Sequence, residues 1–176
     1  MVVLSIIVVL VGLLFPVFSI VRRHAKETRS MGNMRQIWTA LMIYRGEYEG
    51  AGEGGDGISS LGLPPNLTTL IHAQKLPRSV VESGGETLIP GTPAVYTWLV
   101  PIPGHDTAHP SWKSYVQADG DEAVFMLDET FGNEQGARWH PFVSHHLIGT
   151  HLDGHIKSKD GPGDFTNYRF WSENLH

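Results

Sequence analysis

The sequence predicts an α+β protein in which one long N-terminal helix packs on a small antiparallel β-sheet globule. Three observations point there. Residues 2–48 carry helical patterning without a break. Later segments alternate short β-branched and aromatic runs with turn residues. Composition also changes sharply near residue 50: residues 1–49 hold six Lys/Arg and three Asp/Glu, residues 50–176 seven and fifteen. Of 20 glycines, 17 lie from Gly50 onward, as do ten of the eleven prolines. The organisation predicted is a long helix over 1–49, a glycine-rich linker over 50–57 and a β-rich globule over 58–176. The absence of cysteine excludes disulfides, thiolate zinc sites and a cysteine nucleophile. A formal net charge of −5 argues against a nucleic-acid partner, which would call for a basic face.

From Val2 to Val21 the chain reads VVLSIIVVLVGLLFPVFSIV, with no charge. Twenty such residues at about 1.5 Å rise make roughly 30 Å of helix, the thickness of a bilayer's hydrocarbon core. The run therefore predicts a single membrane span over about 2–21. It does not read as a secretory signal, because no basic segment precedes it and no small-residue cleavage site follows. Pro16 removes a backbone donor inside the run, which predicts a helix loosened near Gly12–Pro16. Beyond Arg22, Arg23, Lys26 and Arg29 the pattern becomes amphipathic. Met34, Ile37, Trp38, Leu41 and Met42 fall on one stripe and are the candidates for packing the helix on the globule.

In the globule, Pro65–Leu76 reads as a short helix capped by Asn66. Ala94–Val100 and Ala123–Leu127 read as strands, separated by a loop that begins PIPGHDTAHPSW. His145–Lys159 reads as a hairpin closed by a two-residue turn at Asp153-Gly154.

Histidines gather toward the C-terminus at His140, His145, His146, His151 and His155, near Asp128, Glu129 and Asp153. Imidazole with carboxylate is a metal-ligand chemistry. A two-residue turn at Asp153-Gly154, however, sends His151 and His155 to opposite faces of the hairpin, since strand side chains alternate. On that register they cannot share an ion, and the expectation is no metal site and no enzyme. The sequence contains no G-x-S-x-G, no phosphate-binding glycine loop and no H-E-x-x-H.

The stretch LLFPVFSIVRRHAKETRSMGNMRQIWTALMIYRGEYEG resembles the N-terminal region of bacterial type IV pilins and type II secretion pseudopilins. The matching pieces are Phe15–Phe18, the basic residues that follow, Asn33–Ile37 and Ala40–Tyr44. Thr150–Ile156 resembles the C-terminal Asp-Gly-His signature of a prepilin-like group, carried here by Asp153, Gly154 and His155. That group has a histidine separated from the Asp-Gly pair by nine residues, a position occupied here by Val143. Alignment on Phe15–Phe18 sets Met1 about seven residues inside the family's span, so the family's leader, cleavage site and glutamate have no counterpart in these residues.

The resemblance implies a pilin-like fold and a filament subunit. Leu14, Phe15, Pro16, Val17 and Phe18 would lie in the membrane and later in the filament core. The partners implied are identical or related subunits, and the location a bacterial inner membrane before assembly and a surface or periplasmic filament after it. Some pseudopilins hold calcium in a C-terminal loop, which makes the acidic residues Asp119, Asp121, Asp160 and Asp164 candidate ligands here. The rival expectation is a membrane-anchored envelope enzyme or ligand-binding domain built on the histidine-rich hairpin.

Overall fold

A computed structural model describes residues 2–48, 62–64, 67–73, 75–81, 96–98, 112–129, 131, 144–163 and 170–171. Helix α1 (Val2–Tyr48) runs for 47 residues and passes through Pro16 without interruption. The loosening expected at Gly12–Pro16 is absent from the backbone. Nine consecutive residues, 17–25, are exposed over two and a half turns, and from this stretch the Arg23 guanidinium donates to the Phe131 carbonyl at 3.3 Å. Phe15 and Phe18 are 79% and 68% exposed. Among the described residues no helix is long and apolar enough to cross a membrane. The side chains at 4–9, 11, 13, 14 and 16, which supply much of the uncharged run, lie outside those described.

The second half of α1 organises the globule. Met34, Ile37 and Leu41 are fully buried, with Trp38 and Met42 partly buried beside them. Each fully buried aliphatic side chain of this size contributes roughly 1.5–3 kcal/mol. The short helices α2 (Leu67–His72) and α3 (Arg78–Val81) add Leu67, Leu70, Val80 and Val81 to the same core. Helix α2 is shorter than the expected 65–76, and α3 follows it as a separate turn. Pro65 and Asn66 lie outside the described residues, as does the whole 50–57 linker.

Four strands form an antiparallel sheet in the order β1 (Thr97–Trp98), β2 (Val124–Asp128), β3 (Ser144–His151) and β4 (Ile156–Pro162). Every residue of β2 is buried. Ile148 packs in the helix-side core, while its neighbour Leu147 joins Leu127, Phe170 and Trp171 in a second cluster. Consecutive strand residues face opposite ways, so the two clusters lie on the two faces of the sheet. A bulge between Val124 and Met126 breaks that alternation and sends Phe125 and Met126 together to the helix side.

Between α3 and β2 the structure contains a helix that was not expected, α4 (Trp112–Asp119). It stops at Gly120, whose φ of +57° is the left-handed conformation that ends many helices.

The hairpin differs from expectation in register. Thr150 pairs with Ile156, and the His151 N–H donates to the His155 carbonyl at 3.0 Å. The Gly154 N–H donates back to the His151 carbonyl at 2.9 Å, and Gly154 has φ +90°. The loop is therefore Leu152-Asp153-Gly154, a three-residue connection with glycine in the left-handed position. Trp38 of α1 sits against it. The indole Nε1–H donates to the Leu152 carbonyl at 3.1 Å, and a Cβ on Gly154 would lie 2.6 Å from the indole ring.

Gly120 and Gly154 both need positive φ, but a Cβ on Gly120 would meet nothing within 4 Å. Alanine at either costs about 1–3 kcal/mol in backbone strain. Gly154→Ala must in addition displace Trp38. Thermal unfolding of the full chain in detergent should show Gly154→Ala losing clearly more stability than Gly120→Ala. Equal losses would mean that the indole contact adds nothing.

Candidate functional site

Three pieces of chain converge at the tip of the β3–β4 hairpin. The first is the 3-10 turn Gly120–Glu122, which leads from α4 into β2. It docks on the loop through two backbone bonds. The Leu152 N–H donates to the Ala123 carbonyl at 3.0 Å, and the Asp153 N–H donates to the Asp121 carbonyl at 3.1 Å. The start of β2 is pinned to α4 by the Val124 N–H, which donates to the Tyr115 hydroxyl at 2.8 Å. Burial pushes the Tyr115 phenol well above its ordinary range, so it stays protonated and available as a partner. The second piece is the loop itself, and the third is Trp38 beneath it.

Because His151 and His155 are directly paired, they share a face. Their rings stack with centroids 3.8 Å apart and planes 14° from parallel. The expectation that they point to opposite faces is thus corrected. One residue more in the loop shifts the register by one, and a one-residue shift turns a side chain to the other face. The ground for expecting no metal ligation at this hairpin goes with it.

Each ring has an acceptor on Nδ1. The Nδ1–H of His151 donates to the Glu122 backbone carbonyl. That of His155 donates to the Asp153 carboxylate, 2.6 and 2.7 Å from its two oxygens. The His155 backbone N–H donates to the same carboxylate at 2.9 Å. In the neutral form of each ring Nε2 is then the lone-pair nitrogen, and both Nε2 atoms are buried without a hydrogen-bond partner. The Glu122 carboxylate stands alongside, 4.0 Å from His155 Nε2. One ligand atom from each of Glu122, His151 and His155 falls within 4.8 Å of the others. Burial, reinforced by neighbouring His155, holds the His151 imidazole below its ordinary pKa despite its bond to Glu122, so it is neutral near pH 7. Partial burial raises the Asp153 carboxyl, but the hydrogen bonds from His155 outweigh that and leave it below its usual range.

The calcium candidates are not gathered in this way. Asp119 and Asp121 flank and occupy the 3-10 turn, whereas the Asp160 carboxylate lies 2.6 Å from His146 Nδ1. Asp164, like His140, lies outside the described residues. Among the described residues the one metal-competent group of three or more is Glu122, His151 and His155. The sequence reading did not join Glu122 to the histidines. Its signal is weak, because Glu122 and His151 meet only through the docking of the 3-10 turn on the loop.

Two further polar groups tie α1 to the sheet. His146 Nε2 lies 3.2 Å from Glu27, which also approaches Arg23 at 3.4 Å and His24 at 3.2 Å. Deeper in, the Ser30 hydroxyl donates to the fully buried Asp128 carboxylate at 2.5 Å. The Tyr96 hydroxyl lies 3.3 Å from Ser30 Oγ and donates to the Ser30 carbonyl at 3.4 Å.

No protein-family model matches this chain, and no curated protein or solved structure matches it significantly.

Burial, with the nearby Asp128 charge and against the Ser30 hydrogen bond, pushes the Tyr96 phenol from 10.0 to about 12. The unfolded chain therefore loses this proton first as pH rises. The stability that Tyr96 contributes is whole below about pH 10 and is lost on the way to about pH 12, an effect of roughly 2–3 kcal/mol. Denaturant unfolding across that window should show a steeper loss in the parent chain than in Tyr96→Phe. Parallel curves would show that the phenol is not held protonated by the fold.

Proposed function

We propose that this chain is a non-enzymatic subunit of a pilus-like or secretion-pseudopilus filament, stored in a membrane through its N-terminal helix and assembled through it. The observation that carries the reading is the division of α1. From about Ser30 onward the helix is half-buried under the sheet, while Phe15, Val17, Phe18, Ile20 and Val21 stand exposed. Contiguous apolar surface of this kind needs a cover. Lipid and a bundle of identical helices both supply one, and apolar packing serves in either, so the same helix can pass from one to the other without unfolding. The uncharged run over residues 2–21 and the likeness of Phe15–Phe18 and Asn33–Ile37 to pilin N-terminal regions support the same reading.

On this reading the globule coats the filament and the hairpin faces outward, first from an inner membrane and then along the fibre. Because the chain has no cysteine, a single introduced thiol reports helix-to-helix contact without background. The Phe18→Cys chain, expressed in its host, should stay with membranes through an alkaline carbonate wash and give a ladder of cross-linked multimers on oxidation. Release by carbonate, or monomer alone after oxidation, would refute the proposal.

A further inference from the structure

We infer that Glu122, His151 and His155 form a binding site for one divalent transition-metal ion of the zinc class, with the two Nε2 atoms and a Glu122 carboxylate oxygen as ligands. The inference does not depend on the filament reading.

Several independent features converge. The three ligand atoms lie within 4.8 Å of one another although they come from separate pieces of chain. His151 is only 4% exposed, and its Nε2 has no partner. The Nε2 of His155 is likewise buried and unpartnered. Two lone-pair nitrogens side by side without a donor are costly for a fold to keep, and a cation removes the cost at both. The atoms behind the rings are those that orient metal-bound imidazoles elsewhere, a backbone carbonyl on His151 and a carboxylate on His155. Each fixes the proton on Nδ1 and directs the free lone pair at the shared space.

The donor set decides the class of ion. Two imidazole nitrogens and one carboxylate suit zinc, cobalt, nickel or copper, whereas calcium and magnesium prefer all-oxygen shells. Three protein ligands leave at least one coordination position for water or another ligand. The imidazoles, now nearly parallel, must fan apart to direct both lone pairs at one ion. Glu122 is exposed, with its carboxylate 4.0 Å from both His155 Nε2 and Lys157 Nζ, and a cation would draw it toward the rings. Binding would clip the 3-10 turn to the hairpin loop, adding to the backbone bonds and the His151 ring contact that already join the two segments.

The test uses the full chain in detergent, stripped by a chelator and then titrated with Co²⁺, whose visible absorption reports nitrogen and oxygen ligation directly. One equivalent should bind, Zn²⁺ should displace it and Ca²⁺ should not. Glu122→Gln, at the surface, and His155→Ala, half-buried, should each weaken binding by more than about 100-fold. Asp153→Ala, which removes only the orienting carboxylate, should weaken it by about 10–100-fold. His146→Ala should leave it unchanged. The inference falls if the stripped chain gives no Co²⁺ spectrum. It falls equally if Ca²⁺ displaces Co²⁺, if Glu122→Gln and His155→Ala bind as the parent does, or if His146→Ala loses as much as His155→Ala.

Discussion

The contact between Trp38 and the β3–β4 loop is the constraint on which the rest of the globule depends. It is made from opposite ends of the chemistry of one side chain. The indole N–H satisfies the Leu152 carbonyl, and the ring face lies where a Cβ on Gly154 would have to go. The loop can then be neither two residues long nor closed by a residue with a side chain. Once it is three residues with Gly154 at its end, His151 and His155 are neighbours on one face. The loop also presents the Leu152 and Asp153 amides to the turn that carries Glu122. A helix residue thus determines how three side chains of the sheet edge meet.

The same helix divides the energetics of the molecule. Its buried stripe lies over a central strand covered on both faces, an arrangement that leaves no room in β2 for an unsatisfied polar group. Asp128 is the exception in that strand, and it is met by Ser30 from α1 itself. A buried carboxylate without such a donor would cost several kcal/mol. The Ser30 hydroxyl and the Trp38 indole therefore place the helix against the sheet by polar contacts some two turns apart, while Met34, Ile37 and Leu41 supply most of the burial between and beyond them. Toward the N-terminus residues 17–25 are all exposed, and there the Arg23 guanidinium donates to the Phe131 carbonyl at 3.3 Å.

The helix was legible because periodicity over many turns survives any local exception, Pro16 included. Strand β2 was legible to within one residue, because a run such as Val124–Leu127 between turn residues has few alternatives. The hairpin was found but not its register. Asp-Gly serves equally as the two central residues of a tight turn and as the last two of a three-residue loop. What decides between them is the indole of Trp38, 116 positions before Gly154 in the sequence. Separation in sequence, shorter here, also hid the pairing of Glu122 with His151, 29 positions apart, and the bulge at Phe125. Helix α4 was missed for a different reason. Its eight residues carry only a short apolar face, and its clearest mark is the Asp119-Gly120 stop, which reads as a loop when no helix is suspected.

The central claim is that α1, through Trp38, holds the hairpin tip in the one register that brings His151 and His155 together. Hydrogen–deuterium exchange of the full chain in detergent, parent against Trp38→Ala, tests this at residue level. The account predicts that the amides of Leu152, Asp153 and Gly154, which donate to Ala123, Asp121 and His151, are protected in the parent and lose protection in the variant. Amides that face β4 in the middle of the β3–β4 ladder, such as that of Gly149 opposite Lys157, should keep theirs. Unchanged protection at the tip after removal of the indole would contradict the account.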